Sequence, residues 1–278
     1  MRRMKRLTIL LLFNACACFS LLAQVAEGDR HYAMRAEGAQ GGRARPEHVD
    51  AAIAAYARGT DLESQWKLLR AYRFKGAYVA ATTDDKKKVY GAAKVAGEKA
   101  LATVNKMLGV NAKTPEKQVA AAARAVHGAA EVFLWDAVNW GEWALAYGKL
   151  AAAREGAADR IRREATIAML ADPRVEGGAP ARVLGRLHDQ TPRIPFITGW
   201  ASEKEAVRFL NESLRIDPPN KITIVFLAEA MVANDSKTKP QAIKMLRDVI
   251  AAPNDPQYVV EWAAATEDAR ALLKKLER

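Results

Sequence analysis

The chain has 278 residues, of which 50% are hydrophobic and only 7% aromatic, and it carries a formal charge of +11. Such a chain can bury a core as one helical array or two small domains, and its alanine bias favours an all-α fold over sheet. The basic excess is modest and spread along the predicted helices, which argues for a solvated surface and against a nucleic-acid footprint.

The first residues read as a targeting segment. Arg2, Arg3, Lys5 and Arg6 precede a mostly apolar stretch, Leu7 to Leu22, broken by Asn14 and Ser20, and small Ala23 and Ala26 flank cleavage points. We read 1–23 as a secretory signal peptide and 24–278 as a single helical domain. Removing the four basic residues lowers the formal charge from +11 to +7. Both cysteines, Cys16 and Cys18, lie in this segment, so the mature chain is expected to have no thiol chemistry. Lipidation through Cys18 is an alternative, on the small residue before the cysteine, although the leucine that usually opens that box is missing. A short membrane anchor is another.

In chain order, residues 27–38 predict a helix with Tyr32 and Met34, and a Gly- and Arg-rich break then leads to Pro46 at the start of the next helix. That helix runs to about Arg58, with Ala52, Ile53 and Tyr56 on one stripe and Gly59 ending it. A third spans Leu62 to Val79. A long fourth covers Thr83 to Met107, with Val89, Ala92, Ala93, Ala96 and Leu101 suiting its buried face. Thr114-Pro115-Glu116 reads as N-cap, first-turn proline and acidic second position. The helix it opens continues into Trp135 and Trp140, with a break near Gly128. Residues 148–170 read as one helix closed by Asp172-Pro173. Gly177, Gly178 and Pro180 form a tight turn into a helix holding Leu184 and Gly185, where Gly185 implies close contact with a neighbouring helix. Thr191 to Trp200 reads as an inserted loop, and four helices follow over 202–216, 220–233, 238–251 and 258–277.

Repetition organises the second half. Ala206, Leu210, Ser213 and Pro218 are spaced by 4, 3 and 5. That is the second-helix pattern of a tetratricopeptide repeat: small, bulky and small residues at the helix crossing, then a proline stop. The Asp-Pro steps at 172, 217 and 255 are 45 and 38 residues apart, more than the norm of about 34. The expected architecture is therefore a helical repeat array of degenerate tetratricopeptide-like helix pairs, stacked because no pair can bury its apolar face alone.

Reactive constellations are absent from the pattern. His31, His48, His127 and His188 are dispersed without ligand spacing, so no metal or cofactor is expected. Glu131, Asp136 and Glu142 sit near the tryptophans at spacings of 5 and 6, which do not converge on one helical face. No nucleophile elbow is present, and the Gly177-Gly178 stretch lacks the lysine and hydroxyl of a phosphate loop. Trp135, Trp140 and Trp143 are candidates for lining a ligand pore or partner groove, although filling gaps between alanine-rich helices is the preferred reading. Arg182 and Arg186, four apart, could meet an acidic partner or a carboxylate ligand, with a solvated face again the simpler reading.

One stretch carries a family resemblance. Trp135-Asp136-Ala137 and Asn139-Trp140-Gly141-Glu142-Trp143-Ala144 are followed by a helix ending at Asp172-Pro173, then by Gly177-Gly178-Ala179-Pro180-Ala181-Arg182-Val183-Leu184-Gly185. This order resembles the T-component of tripartite ATP-independent periplasmic (TRAP) transporters, with weaker similarity at Tyr32, Ala52-Ile53, Tyr56, Trp66, Leu68-Leu69-Arg70 and Asp217-Pro218. The resemblance implies a periplasmic, non-catalytic, tetratricopeptide-like accessory protein that binds the substrate-binding P-component, handles a small hydrophobic or carboxylate ligand, and assembles as a homotrimer. A generic periplasmic scaffold for envelope protein–protein interactions is the alternative.

Overall fold

Each turn of the chain is set by a recognisable local signal, and the helices then stack in order. The computed structural model describes residues 23–278; most of the predicted targeting segment, with Cys16 and Cys18, lies outside the described residues. Helix α1 covers 23–33 and gives way to turns through 38, ending earlier than its periodicity suggests. Pro46 opens α2 (Pro46–Tyr56), where Val49, Ala52, Ala55 and Tyr56 are buried. The Tyr56 ring lies over Gly28, where a Cβ would fall 2.4 Å from it, and its hydroxyl donates to Asp29 Oδ1 at 2.7 Å.

Asp61 caps α3 (Leu62–Phe74) by accepting from the Ser64 amide at 2.9 Å, and a π-helical turn follows at Lys75–Val79. Helix α4 (Thr83–Leu108) buries Tyr90, Ala93, Gly97, Ala100 and Val104. The expected stripe is thus rotated: Ala92 is exposed, while Ala96 and Leu101 are only partly covered. The reason is size, since Gly97 admits the Asp136 side chain where a larger residue would collide with it.

Helix α5 (Glu116–Ala123) starts after Pro115, which itself takes the cap position with extended backbone; Thr114 instead accepts from the Asn111 amide at 3.1 Å. Gly128 precedes α6 (Ala129–Tyr147), at the expected break. The predicted 148–170 helix is two, α7 (Lys149–Arg154) and α8 (Ala157–Ala171), because Gly156 adopts φ +66, a left-handed conformation that ends a helix. Helix α9 (Val175–Gln190) contains the tight turn: Glu176, Gly177 and Gly178 have φ values of 48, 63 and 74, and regular helix resumes at Ala179-Pro180. The array ends with α10 (Glu203–Ile216), α11 (Lys221–Asn234), α12 (Lys239–Ala251) and α13 (Val259–Leu276). Among the described residues there is no strand, and a lone bridge joins Gln40 to Arg43. The fold is all-α.

Packing follows the repeat logic. Ala206, Leu210 and Ser213 are fully buried, and Gly185 on α9 brings its backbone against Leu210, where an added Cβ would stand 2.6 Å from Cγ. Helix α11 buries Leu227 and Ala230 in one cluster and Val225 and Ala228 in another. Being covered on both sides, it tolerates the β-branched run near Ile222 as helix. Asn139 ties α6 to α3 by donating to the Leu69 carbonyl at 3.0 Å.

The stack also returns on itself. Val260 of α13 belongs to the cluster of Val49, Tyr56, Phe74 and Tyr78. Arg35 pairs with Glu261 at 2.9 Å and donates to the Gln257 carbonyl at 2.6 Å, and the Gly42 amide donates to Glu267 at 3.0 Å. The C-terminal helix therefore closes the array against its N-terminal pairs. No helix among the described residues is long and apolar enough to cross a membrane.

Candidate functional site

Closure turns several charged side chains inward. Helix α3 supplies Arg70 and Arg73, α6 supplies Glu142, and α9 supplies Glu176 and Arg182. Arg70 lies 3.6 Å from Glu176 and Arg73 lies 3.5 Å from Glu142, looser pairs than Arg186–Glu229 at 2.6 Å. Arg73 also donates to the Tyr78 hydroxyl at 2.6 Å. Arg70 lies over the Tyr32 ring, 4.2 Å from its centroid.

Two properties of these groups locate them. The side chains of Arg70, Glu176, Arg73 and Glu142 keep 20%, 24%, 22% and 26% of their surface. Yet burial is the largest influence on the pKa of Tyr32, Arg70, Arg73 and Arg182. They are therefore half-buried charges between packed helices, neither in a dry core nor fully on an outer face. Burial pushes the Tyr32 hydroxyl up to about 12, against the opposing pull of Arg70 and Arg35. For Arg73 the downward pull of burial is outweighed by Tyr78 and Glu142, so its pKa rises. Arg182 goes the other way: burial first, then the Arg73 guanidinium, lower it to about 10.

The predicted site residues divide around this charged cluster. Arg182 and Arg186 do not form one solvated stripe, because α9 is packed between neighbours and its inner face is shared. Arg182 donates to Thr223 Oγ1 at 3.2 Å. Arg186 is paired with Asp189 at 2.7 Å and with Glu229, and it stacks 4.4 Å from the Phe226 ring centroid. It edges a separate open recess of about 320 Å³ between α9, α11 and α13. Trp140 and Trp143 are buried, 5.4 Å apart between ring centroids, in a cluster with Tyr90, Ile161 and Leu184. Trp135 packs against a different cluster, with Val132 and Phe133. Gly177, Gly178 and Pro180 shape the entry to α9, and Leu184 and Gly185 its contact with α10. Asp217 precedes Pro218 beside this turn, its carboxylate 2.9 Å from where a Gly177 Cβ would lie.

Sequence spacing missed two convergences. Asp136 does not meet Glu131 or Glu142, yet across the fold it meets Glu164 around Arg160: Nη2 donates to Asp136 Oδ2 at 3.1 Å and Nε to Glu164 Oε1 at 3.0 Å. Asp136 is fully buried, fitting where a Cβ on Gly97 would fall 1.7 Å from its Oδ1. Burial, then the neighbouring Asp136 charge, raise Glu164 well above the usual carboxylate range. Burial raises Asp136 as well, against the opposing pull of Arg160, so both carboxyl groups depend on the one guanidinium between them. Lys94 and Arg160 cover the Trp140 ring, each 4.4 Å from its centroid. The second convergence is His31 with His48, whose Nδ1 atoms are 3.3 Å apart, while His48 Nε2 meets Glu37 at 3.0 Å. Among the described residues no group of three acidic, histidine or cysteine side chains is arranged to hold a metal.

The fold and site define an all-α array of helix pairs that gathers half-buried charges from α3, α6 and α9. No family model and no curated protein matches the chain.

Proposed function

We propose that the protein is a non-catalytic, tetratricopeptide-like accessory of a TRAP-type solute uptake system, exported to the periplasm. It binds the P-component, the small-molecule cargo, or both, and the family resemblance extends this to a homotrimer. The observation that carries the reading is the placement of the resembling segment. Its Trp-rich part forms α6 and its Gly-Gly-Ala-Pro part forms α9, and these helices contribute Glu142, Glu176 and Arg182 to one cluster of half-buried charges. Loose ion pairs of this kind can exchange partners at little cost, which suits reversible binding without chemistry. Native mass spectrometry of the purified protein, alone and with the P-component, tests the proposal: a bound small molecule or a discrete complex is expected, and neither appearing refutes it.

The second reading, a periplasmic protein–protein scaffold, is favoured by a different feature. In the 191–200 loop Phe196 is fully exposed at φ +64, beside exposed Ile194 and Ile197. Thr198 Oγ1 holds the loop by accepting from the Ile194 amide at 3.0 Å and donating to the Pro192 carbonyl. A constrained loop presenting apolar side chains fits a partner's pocket. Envelope-assembly genes beside this one, in place of TRAP membrane and P-component genes, would favour the scaffold.

A further inference from the structure

We propose that His31 and His48 form a two-histidine site for a divalent transition-metal ion of the zinc class, with Glu37 as the outer carboxylate that orients it. The inference stands apart from the uptake reading and does not rest on it.

The two histidines are 17 positions apart and share no ligand spacing, yet α1 and the first turn of α2 bring them face to face. Their Nδ1 atoms lie 3.3 Å apart, with the ring planes inclined by 34°. A hydrogen bond from one ring to the other would favour a shorter distance, about 2.9–3.0 Å. Two nitrogens held about 2.0–2.1 Å from one tetrahedral ion are about 3.3–3.4 Å apart. The observed separation is therefore the one that a shared ion sets.

The far side of His48 supports the same assignment. Its Nε2 meets a Glu37 carboxylate oxygen at 3.0 Å. A carboxylate only accepts, so this Nε2 carries the proton, and the neutral ring presents the Nδ1 lone pair towards His31. A carboxylate behind the imidazole is the usual outer support of a metal ligand, fixing the tautomer and raising the basicity of the ring. The backbone is held as well. Tyr32 and Val49, each the next residue along, pack in the cluster that α13 closes. Tyr56 on α2 locks against Gly28 and Asp29 of α1. Both ligands thus need little ordering when an ion arrives.

Two protein ligands leave the remaining positions to water or to a donor on a bound guest. The site is reachable, since His48 keeps 28% of its side-chain surface. An all-imidazole set selects zinc, nickel and copper over magnesium and calcium, which take oxygen ligands. A shared ion would also staple α1 to α2.

Isothermal titration of Zn2+, Ni2+ and Mg2+ into the untagged protein, first stripped with a chelator, tests the site. One zinc or nickel ion per chain, no response to magnesium, and a rise in Tm with zinc are expected. Glu37→Gln should weaken zinc binding by about tenfold, and His31→Gln and His48→Gln should each weaken it further. His127→Gln and His188→Gln should bind as the parent does. Neither zinc nor nickel bound, full affinity retained in His31→Gln or in His48→Gln, or an equal loss in His127→Gln overturns the proposal. If a glutamine variant does not fold, Cu2+ bound to the parent answers the question by electron paramagnetic resonance. Hyperfine splitting from two imidazole nitrogens is expected, and splitting from one or none overturns the proposal.

Discussion

Gly97→Ala should unfold the protein at a markedly lower temperature, while Gly141→Ala should do the reverse. Both glycines lie inside long helices, α4 and α6, so each alanine gains about 1 kcal/mol of helix propensity. At Gly141 nothing stands within 4 Å of the new Cβ, and the gain should appear in full. At Gly97 the Cβ would lie 1.7 Å from Asp136 Oδ1 and 2.9 Å from its Cγ. No rotamer of a fully buried aspartate absorbs that overlap, so Asp136 must leave Arg160 and Glu164. Breaking a buried ionic group of this kind costs about 3–5 kcal/mol, and the net loss is about 2–4 kcal/mol after the propensity gain. For a domain of this size that is roughly 4–16 °C in Tm, read by circular dichroism or calorimetry on both variants beside the parent. Equal shifts in the two variants, or a Gly97→Ala protein as stable as the parent, would refute the inferred contact between α4 and Asp136.

Glu164→Gln gives a pH signature. Because the folded pKa of Glu164 is raised, the unfolded chain ionises first as pH rises. Parent stability therefore falls as pH rises from the ordinary glutamate value of 4.5 to the raised folded value. Glutamine, which is close in shape and does not titrate, should remove that decline. Urea denaturation at about pH 5 and pH 8 should show the variant gaining on the parent at the higher pH, and parallel curves would refute the raised Glu164 pKa. Leu210→Ala, at the fully buried crossing of α9 and α10, should cost about 2–5 kcal/mol in the same assay. Lys221→Met should cost about 1–3 kcal/mol, because Lys221 Nζ donates to the Ala252 carbonyl, Asn254 Oδ1 and Thr266 Oγ1 and those acceptors would lose their donor. Phe196→Ala should leave Tm unchanged, since the ring touches solvent alone; weakened binding to the partner in a pull-down would mark the loop as a docking element.

Local signals carry much of this fold in the sequence. Pro46, Pro180 and the Asp-Pro steps mark helix boundaries because their chemistry acts on adjacent residues. The Ala206–Leu210–Ser213 spacing is legible because all three share one face of one helix. The stripe on α4 is harder to read, since hydrophobicity alone points to Ala92, whereas the buried face is chosen by Gly97 and Tyr90. Gly156 reads as a tolerated helical glycine until its left-handed backbone separates α7 from α8. Contacts between distant segments leave no periodic trace: Arg35 with Glu261, Asp136 with Glu164, and His31 with His48 are each set by how the stack closes. The charged cluster is illegible for the same reason. Arg182 is picked out by its four-residue spacing from Arg186, but only the closed array gives the first a hydroxyl acceptor and the second two carboxylates.

Closure of the array by α13 is tested most directly by replacing Arg35 and Glu261, 226 positions apart, singly and together, and reading stability by urea denaturation. A coupling of about 0.5–3 kcal/mol between the two sites is the expected result. Strictly additive losses would contradict a stack that returns on itself.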